Sequence, residues 1–172
     1  MYRVSIVVPV YNEEGNVEDL YKEIKEVCEN EGYEYEIIFV NDGSGDRTDE
    51  ICRKLKPLKY ICLRRNFGQT AAMDAGIKEA KHDYIVTLDG DRQNDPHDIP
   101  RMLHYLVENN LDVVSGWRKN RKDTFMKRFI SRGANFLRGI LVKDGIHDSG
   151  CSLKVYKKEC FKGVNLYGEQ HR

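Results

Sequence analysis

Short apolar runs alternate with amphipathic stretches through the first half of the chain. Four runs rich in β-branched residues are apolar on both faces, as is typical of buried strands: residues 4–8, 35–40, 59–63 and 84–88. The stretches between them have helical spacing, at residues 16–30, 48–54 and 68–80. This alternation predicts right-handed β-α-β units, and therefore an α/β fold with a mostly parallel central sheet flanked by helices.

The second half continues with a helix, two strands and a basic segment. Asp95 is a favourable N-cap and Pro96 suits a first helical position, so a helix should run to about residue 109. Further strands are expected at residues 112–117 and 150–156. Between those strands, residues 118–143 hold nine basic residues against one acidic residue, with an apolar stripe at helical spacing.

Composition limits the class of protein. A chain of 172 residues can bury one core of its own, so residues 1–172 are expected to form a single domain. Its formal net charge of zero hides an asymmetry: residues 1–50 carry 4 Lys/Arg against 14 Asp/Glu, and residues 101–172 carry 15 against 7. Five cysteines without a C-x-x-C pair favour buried, reduced thiols over a zinc site. The apolar runs are too short to span a bilayer.

The sharpest chemical signal is an acidic pair directly after the fourth predicted strand. In parallel sheets, ligands bind beyond the carboxyl ends of the strands. Asp89 and Asp91 are two residues apart, so both side chains can project to one side and share a hard divalent cation. Gln93 continues the same period and would add an oxygen ligand. A plain polar turn is the alternative, because Asp-Gly is a common turn pair.

Two other features have open interpretations. Asp42 follows the second predicted strand, where an acidic group can accept hydrogen bonds from a nucleoside, although the pattern alone favours a glycine-containing turn. Residues 118–143 alone favour a solvated basic helix packed on the sheet. A basic amphipathic helix lying on an anionic membrane and binding phosphate is the second interpretation. A nucleic-acid surface has little support, so no nucleic acid partner is expected.

Taken in order, the motifs resemble those of glycosyltransferase family 2, and specifically its polyprenyl-phosphate glycosyltransferases, which act on dolichyl or undecaprenyl phosphate. The resemblance covers essentially the whole chain. It rests on VSIVVPVYNEEGNV at 4–17, VNDGSGDRT at 40–48, RRNFGQTAAMDAGIKEA at 64–80, DYIVTLDGDRQNDP at 83–96, VVSGWR at 113–118, KRFISRGANFL at 127–137, DSGCSLKVY at 148–156 and YGEQHR at 167–172.

The resemblance implies a GT-A fold, which is Rossmann-like, and a role for each matching residue. The donor nucleotide-sugar would be bound by Pro9, Tyr11, Glu13, Val40, Asp42, Asp89 and Gly90. Mg²⁺ or Mn²⁺ would be held by Asp89, Asp91 and Gln93. The acceptor phosphate would be received by Arg118, Lys127, Arg128 and Arg132. The catalytic residues would be Asp91 and Asp148, the latter beside the acceptor.

The implied activity is metal-dependent, inverting transfer of a sugar from GDP-mannose or a UDP-hexose to a polyprenyl phosphate at the cytoplasmic side of the cell membrane. The family usually continues into interfacial or transmembrane helices, so the chain is expected to be truncated before them. Two alternatives remain open at this point. One is a transferase acting on a polysaccharide or protein glycan, and the other is a domain that binds nucleotide-sugars without catalysis.

Overall fold

The computed structural model describes residues 1–117 and 150–168. The strands in these residues are β1 (Arg3–Val10), β2 (Glu34–Asn41), β3 (Lys59–Cys62), β4 (Tyr84–Thr87), β5 (Val113–Ser115) and β6 (Lys154–Lys157). The α-helices are α1 (Val17–Asn30), α2 (Thr48–Lys54), α3 (Gln69–Glu79) and α4 (Ile99–Glu108), with 3₁₀ turns at Pro96–Asp98 and Lys158–Phe161.

The strands form one mixed sheet in the order β3-β2-β1-β4-β6-β5. The four strands of the first half are all parallel to one another: β1 pairs with β2 and β4, and β2 pairs with β3. Strand β6 runs antiparallel between β4 and β5. The prediction of an α/β fold with a mostly parallel sheet flanked by helices is therefore confirmed.

Alternating strand residues build a core on each face of the sheet. Ile6 and Phe39 face the larger core, where α1, α4 and Cys52 of α2 cover the sheet. Val7 and Ile38 face the opposite side, where they pack against α3. Burial on both faces explains why residues 6–10 of β1 and 37–40 of β2 are all apolar, since neither face meets water there.

Three elements differ from the sequence-based expectation. Strand β3 is only partly buried because it forms an edge of the sheet, where one side has no neighbouring strand. The last strand starts at Lys154 instead of residue 150, because the preceding residues contact the loop after β4. Asp95 accepts a hydrogen bond from the backbone N–H of His97 as expected of an N-cap, but the first turn is 3₁₀ before α4 begins.

The cysteines are all free, as expected, but not all buried. Cys28, Cys52 and Cys151 are buried, Cys160 is half-buried and Cys62 is exposed on the edge strand. Burial raises the pKa of both Cys28 and Cys52 to about 12, so these thiols stay protonated and unreactive at neutral pH.

Several expectations for the acceptor side fall on residues that the structure does not describe. Arg118, Lys127, Arg128, Arg132 and Asp148 all lie outside the described residues. Within residues 1–117 and 150–168, none of the helices is long and apolar enough to cross a bilayer.

Candidate functional site

A cavity of about 290 Å³ opens at the carboxyl ends of β1, β2 and β4. Strand β1 pairs with β2 on one side and with β4 on the other. The order in which successive strands are added to the sheet therefore reverses at β1, beside the cavity. Open α/β sheets bind ligands at such a point. The cavity is lined by Pro9, Val10, Tyr11, Glu13, Asp42, Asn66, Gly68, Gln69, Asp89, Gly90 and Asp91.

The loop after β1 is held by the loop after β2. The backbone N–H of Asn12 donates to Ser44 Oγ at 2.9 Å, and the N–H of Gly45 donates to Asn12 Oδ1 at 2.8 Å. The backbone N–H of Glu13 donates to Thr48 Oγ1 at 2.9 Å. These reciprocal bonds fix the cavity wall that carries Tyr11 and Glu13.

Asp42 is buried at the end of β2 and holds a third loop in place. Its Oδ1 accepts the backbone N–H of Phe67 at 2.7 Å, and its Oδ2 accepts that of Gly68 at 2.9 Å. The next residue, Gly43, has φ of 70°, and a Cβ there would lie 2.5 Å from the carbonyl carbon of Arg65. Only glycine fits such a close approach of two backbones. Asp42 therefore lines the cavity and also fixes the loop that leads into α3.

The loop after β4 carries the acidic pair that the sequence singles out. Asp89 and Asp91 both line the cavity, and the side-chain amide of Gln69 donates to Asp89 Oδ1. A Cβ on Gly90 would lie 2.9 Å from Cγ1 of Val10 and 3.2 Å from the carbonyl oxygen of Pro9. Glycine between the two aspartates thus lets this loop approach the end of β1 closely, which places both carboxylates at one cavity.

The charge of the cavity suits a divalent cation. Four of the residues that line it are acidic, and none of the described lining residues is basic. The charged side chains that line the cavity are all negative, so a cation between them and a diphosphate would offset the repulsion between phosphate and carboxylates. Asp89 and Asp91 fit that role, because carboxylate oxygens are the ligands that Mg²⁺ and Mn²⁺ prefer. No cluster of three or more potential metal-ligating side chains occurs among residues 1–117 and 150–168, so substrate oxygens or water would complete the coordination.

Comparison with known proteins fits this geometry. The profile of glycosyl transferase family 2 matches residues 5–164. The chain belongs to glycosyl transferase family 2. It is 45% identical over 175 residues to a dodecaprenyl-phosphate galacturonate synthase of Rhizobium johnstonii, covering 98% of this chain and 52% of that protein. The sequence-based assignment to the family is therefore confirmed.

Two further relatives extend the comparison. An undecaprenyl-phosphate 4-deoxy-4-formamido-L-arabinose transferase of Edwardsiella ictaluri is 37% identical over 166 residues, covering 94% of this chain and 51% of that protein. The chain thus spans about half the length of the curated relatives it matches. The fold matches glucosyl-3-phosphoglycerate synthase of Mycobacterium tuberculosis, solved with Mn²⁺, UDP and phosphoglyceric acid, with a TM-score of 0.76, 16% identity and coverage of 95% of this chain and 58% of that one. The GT-A fold expected from the sequence is confirmed.

Two residues of this family 2 chain do not take the positions that the sequence suggests. Val40 is fully buried in the core beneath α3, so its side chain does not line the cavity. Gln93 is exposed and lines a neighbouring cavity of about 230 Å³ instead. The backbone turns at Arg92, whose φ is 58°, and this turn ends the two-residue alternation that would have placed Gln93 beside Asp91. The backbone N–H of Gln93 donates to Asp91 Oδ1 at 3.0 Å.

Four lining residues were missed from the sequence, and one of them is Val10, the last residue of β1. The other three follow β3, the edge strand: Asn66 and Gly68 lie in the loop after it, and Gln69 is the first residue of α3. The available signal was their place after the third of four parallel strands, because all such loops meet at the same edge of the sheet. Residues 66–69 are polar at both ends, and by themselves they predict only the start of a helix.

Replacing Asp42 with alanine should weaken binding of a nucleoside diphosphate by about 1–3 kcal/mol, because the cavity loses a carboxylate and the backbone N–H groups of Phe67 and Gly68 lose the acceptor that they share. Titration calorimetry with UDP and GDP, each with Mn²⁺, measures the change. Glu50→Ala, at an exposed carboxylate of α2, is the matched control and should bind as the parent does. Equal affinity of Asp42→Ala and the parent would mean that Asp42 serves only the turn.

Proposed function

We propose that this chain is the catalytic domain of an inverting, metal-dependent glycosyltransferase that moves a sugar from a nucleotide-sugar to a polyprenyl phosphate. The observation that carries the proposal is the placement of Asp89 and Asp91 on one cavity at the carboxyl ends of β1, β2 and β4. The names of the two curated relatives supply the acceptor class, since both act on polyprenyl phosphates.

The donor would occupy the cavity with its diphosphate towards the β4 loop. Pro9, Tyr11, Glu13 and Asp42 lie on the side formed by β1 and β2, where they would contact the base and ribose. Asp89 and Asp91 lie on the β4 side, so they would hold the cation and, through it, the diphosphate. When bound there, Mg²⁺ or Mn²⁺ supplies Lewis-acid stabilisation of the charge on the departing diphosphate.

The chemical step would be an in-line displacement. An oxygen of the lipid phosphate attacks the anomeric carbon from the face opposite the nucleoside diphosphate, the glycosidic bond forms, and the bond to the diphosphate oxygen breaks with inversion. A phosphate monoester has its second pKa near ~6, so the nucleophile is largely ionised at neutral pH. Asp148 would therefore position the acceptor or act electrostatically, with proton removal a secondary role.

The acceptor would approach from the membrane at the cytoplasmic side. Arg118, Lys127, Arg128 and Arg132 are proposed to bind its phosphate, because they lie in the basic segment of residues 118–143. The exposed Trp117 side chain, at the start of that segment, lines the cavity of about 230 Å³ on the far side of the β4 loop. That position would bring an acceptor to the donor from the side opposite the nucleotide.

The test is transfer of labelled sugar from a panel of UDP- and GDP-sugars to undecaprenyl phosphate in mixed micelles. Radiolabel that is extracted with the lipid, and that disappears with EDTA, is the expected result. Label appearing on added polysaccharide or glycoprotein instead would replace the acceptor assignment. Binding of nucleotide-sugar without transfer or hydrolysis, under all conditions with metal, would favour a non-catalytic binding domain.

Replacing both Lys127 and Arg128 with alanine should raise the acceptor's KM and reduce binding to anionic vesicles, while the affinity for the nucleotide-sugar stays nearly unchanged. Each basic residue near an anionic surface contributes roughly 1 kcal/mol. Vesicle binding should also fall steeply with salt, since the attraction decays over about 8 Å at physiological ionic strength.

Sedimentation with vesicles, acceptor kinetics and calorimetry of the donor together decide the matter. The control replaces Lys22 and Lys25 on α1 with alanine. The ammonium groups of these two lysines pair with Glu18 and Glu29, and the control should leave the acceptor's KM unchanged. Equal losses of donor and acceptor affinity in Lys127→Ala/Arg128→Ala would place the segment in the fold or the donor site.

A further inference from the structure

The loop that carries the acidic pair is tied to α1 by one arginine. Arg92 directly follows Asp91, and its Nη1 lies 3.0 Å from Oδ2 of Asp19. Its Nη2 contacts a carboxylate oxygen of Glu23, one helical turn further along α1. The guanidinium thus bridges Asp19 and Glu23 of α1, and neither of these carboxylates lines the 290 Å³ cavity.

The backbone at Arg92 has a conformation that a side chain other than glycine rarely adopts. Its φ is 58°, in the left-handed region, where Cβ crowds the following carbonyl oxygen. Such a conformation persists only where surrounding contacts hold it. The contacts of this side chain that the structure describes are the two carboxylates of α1, so these ion pairs offset the cost of the turn.

The same turn fixes the carboxylate of Asp91. The backbone N–H of Gln93 donates to Asp91 Oδ1 at 3.0 Å, so the bond spans Arg92, and the ion pairs that hold Arg92 on α1 also hold this turn in place. On the other side of Asp91, Gly90 packs against Val10 and the Pro9 carbonyl. Asp91 is therefore held between a close contact with β1 and the anchor on α1.

We propose that Arg92 is a positioning residue, which aims the Asp91 carboxylate at the cation by anchoring the β4 loop on Asp19 and Glu23 of α1. The anchor also keeps the guanidinium charge paired on α1, away from the carboxylates that the cation needs. The inference rests on the proposed function, in which Asp91 is a metal ligand.

The experiment measures Mn²⁺ affinity in the presence of UDP or GDP by titration with electron paramagnetic resonance, which needs no turnover. Half-exposed ion pairs are individually weak, so we expect Arg92→Gln to weaken Mn²⁺ binding by about fivefold. Arg92→Lys, which keeps one ion pair, should fall between Arg92→Gln and the parent. Arg92→Gly allows the left-handed turn but removes the anchor, so it should bind Mn²⁺ more weakly than the parent.

A second set of variants tests the partners on α1. The double variant Asp19→Asn/Glu23→Gln changes no residue of the β4 loop. It should nevertheless weaken Mn²⁺ binding as much as Arg92→Gln does, because it removes the partners of Arg92. Combining all three changes should add little further loss, because they remove one interaction. Arg101→Gln on α4, which breaks an exposed pair with Asp98 outside the 290 Å³ cavity, is the matched control with unchanged affinity.

The outcomes separate the two proposals. If the parent binds nucleotide equally well with and without Mn²⁺, the proposed function fails. If the parent shows Mn²⁺-dependent binding but Arg92→Gln matches it, the anchor is refuted while the function stands. Additive losses in the combined variant would likewise refute the anchor. Circular dichroism melting curves confirm that the variants compared are folded.

Discussion

Replacing Asp91 with asparagine should lower the transfer rate by roughly a hundredfold or more and abolish the dependence of nucleotide binding on metal. Asparagine has nearly the same shape, and its amide oxygen can still accept the N–H of Gln93 that Asp91 Oδ1 accepts now. The turn should therefore survive, while the cavity loses one full negative charge at the position proposed for the cation. The effect falls on chemistry and metal binding instead of on folding.

Initial rates with saturating nucleotide-sugar and acceptor, measured over a Mn²⁺ titration, give the result. Asp83→Asn is the matched control. Asp83 is exposed and directly precedes β4, so it lies at the amino end of the strand whose carboxyl end leads to Asp91. That variant should keep the activity of the parent. Unchanged activity of purified Asp91→Asn in the presence of EDTA would contradict the assignment of Asp91.

Replacing Gly43 with alanine should destabilise the fold by about 3 kcal/mol. A Cβ at this position would lie 2.5 Å from the carbonyl carbon of Arg65 and 2.7 Å from the backbone nitrogen of Asn66. Both contacts are with backbone atoms, so no side chain can rotate away, and overpacking of this kind costs about 1–3 kcal/mol. The φ of 70° adds roughly 1 kcal/mol for any residue with a Cβ.

Thermal melting measures the loss, which corresponds to a fall of roughly 6–12 °C in Tm for a chain of this size. Gly45→Ala in the same loop is the control, because a Cβ there meets no atom within 4 Å and its φ is not positive. It should melt close to the parent. A Gly43→Ala variant with the same Tm as Gly45→Ala would mean that the two loops can separate without cost.

Strand and helix periodicity predicted most of the fold, because β1 and β2 are buried on both faces and α1 has one clear apolar face. Strand β3 is less buried than the sequence predicted, because it lies at the edge of the sheet. Which strand lies at the edge depends on the order of strands, and hydrophobic periodicity does not encode that order. The antiparallel direction of β6 depends equally on how the chain returns to the sheet.

The two-residue spacing of Asp89 and Asp91 correctly placed both residues at one cavity, because Gly90 lets the loop lie close to β1. Their role as metal ligands stays a prediction. The same spacing failed at Gln93, where the positive φ of Arg92 interrupts the alternation. Asp42 illustrates a different limit. Its sequence context suggested either a nucleotide contact or a turn, and the structure places its carboxylate both on the cavity and against backbone N–H groups of residues 67 and 68.

The bonds that join the cavity loops have a consequence for redesign of the proposed donor site. Asn12 is hydrogen-bonded to Ser44 and Gly45. Asp42 accepts hydrogen bonds from the backbone of residues 67 and 68, and Gln69 donates one to Asp89. A loop taken from another enzyme of the family would leave its neighbours with unpaired donors and acceptors. Exchange of the sugar or base preference should therefore succeed when all four loops are transplanted as one cassette, and chimaeras with a single foreign loop should lose the pocket's shape before they gain a new substrate.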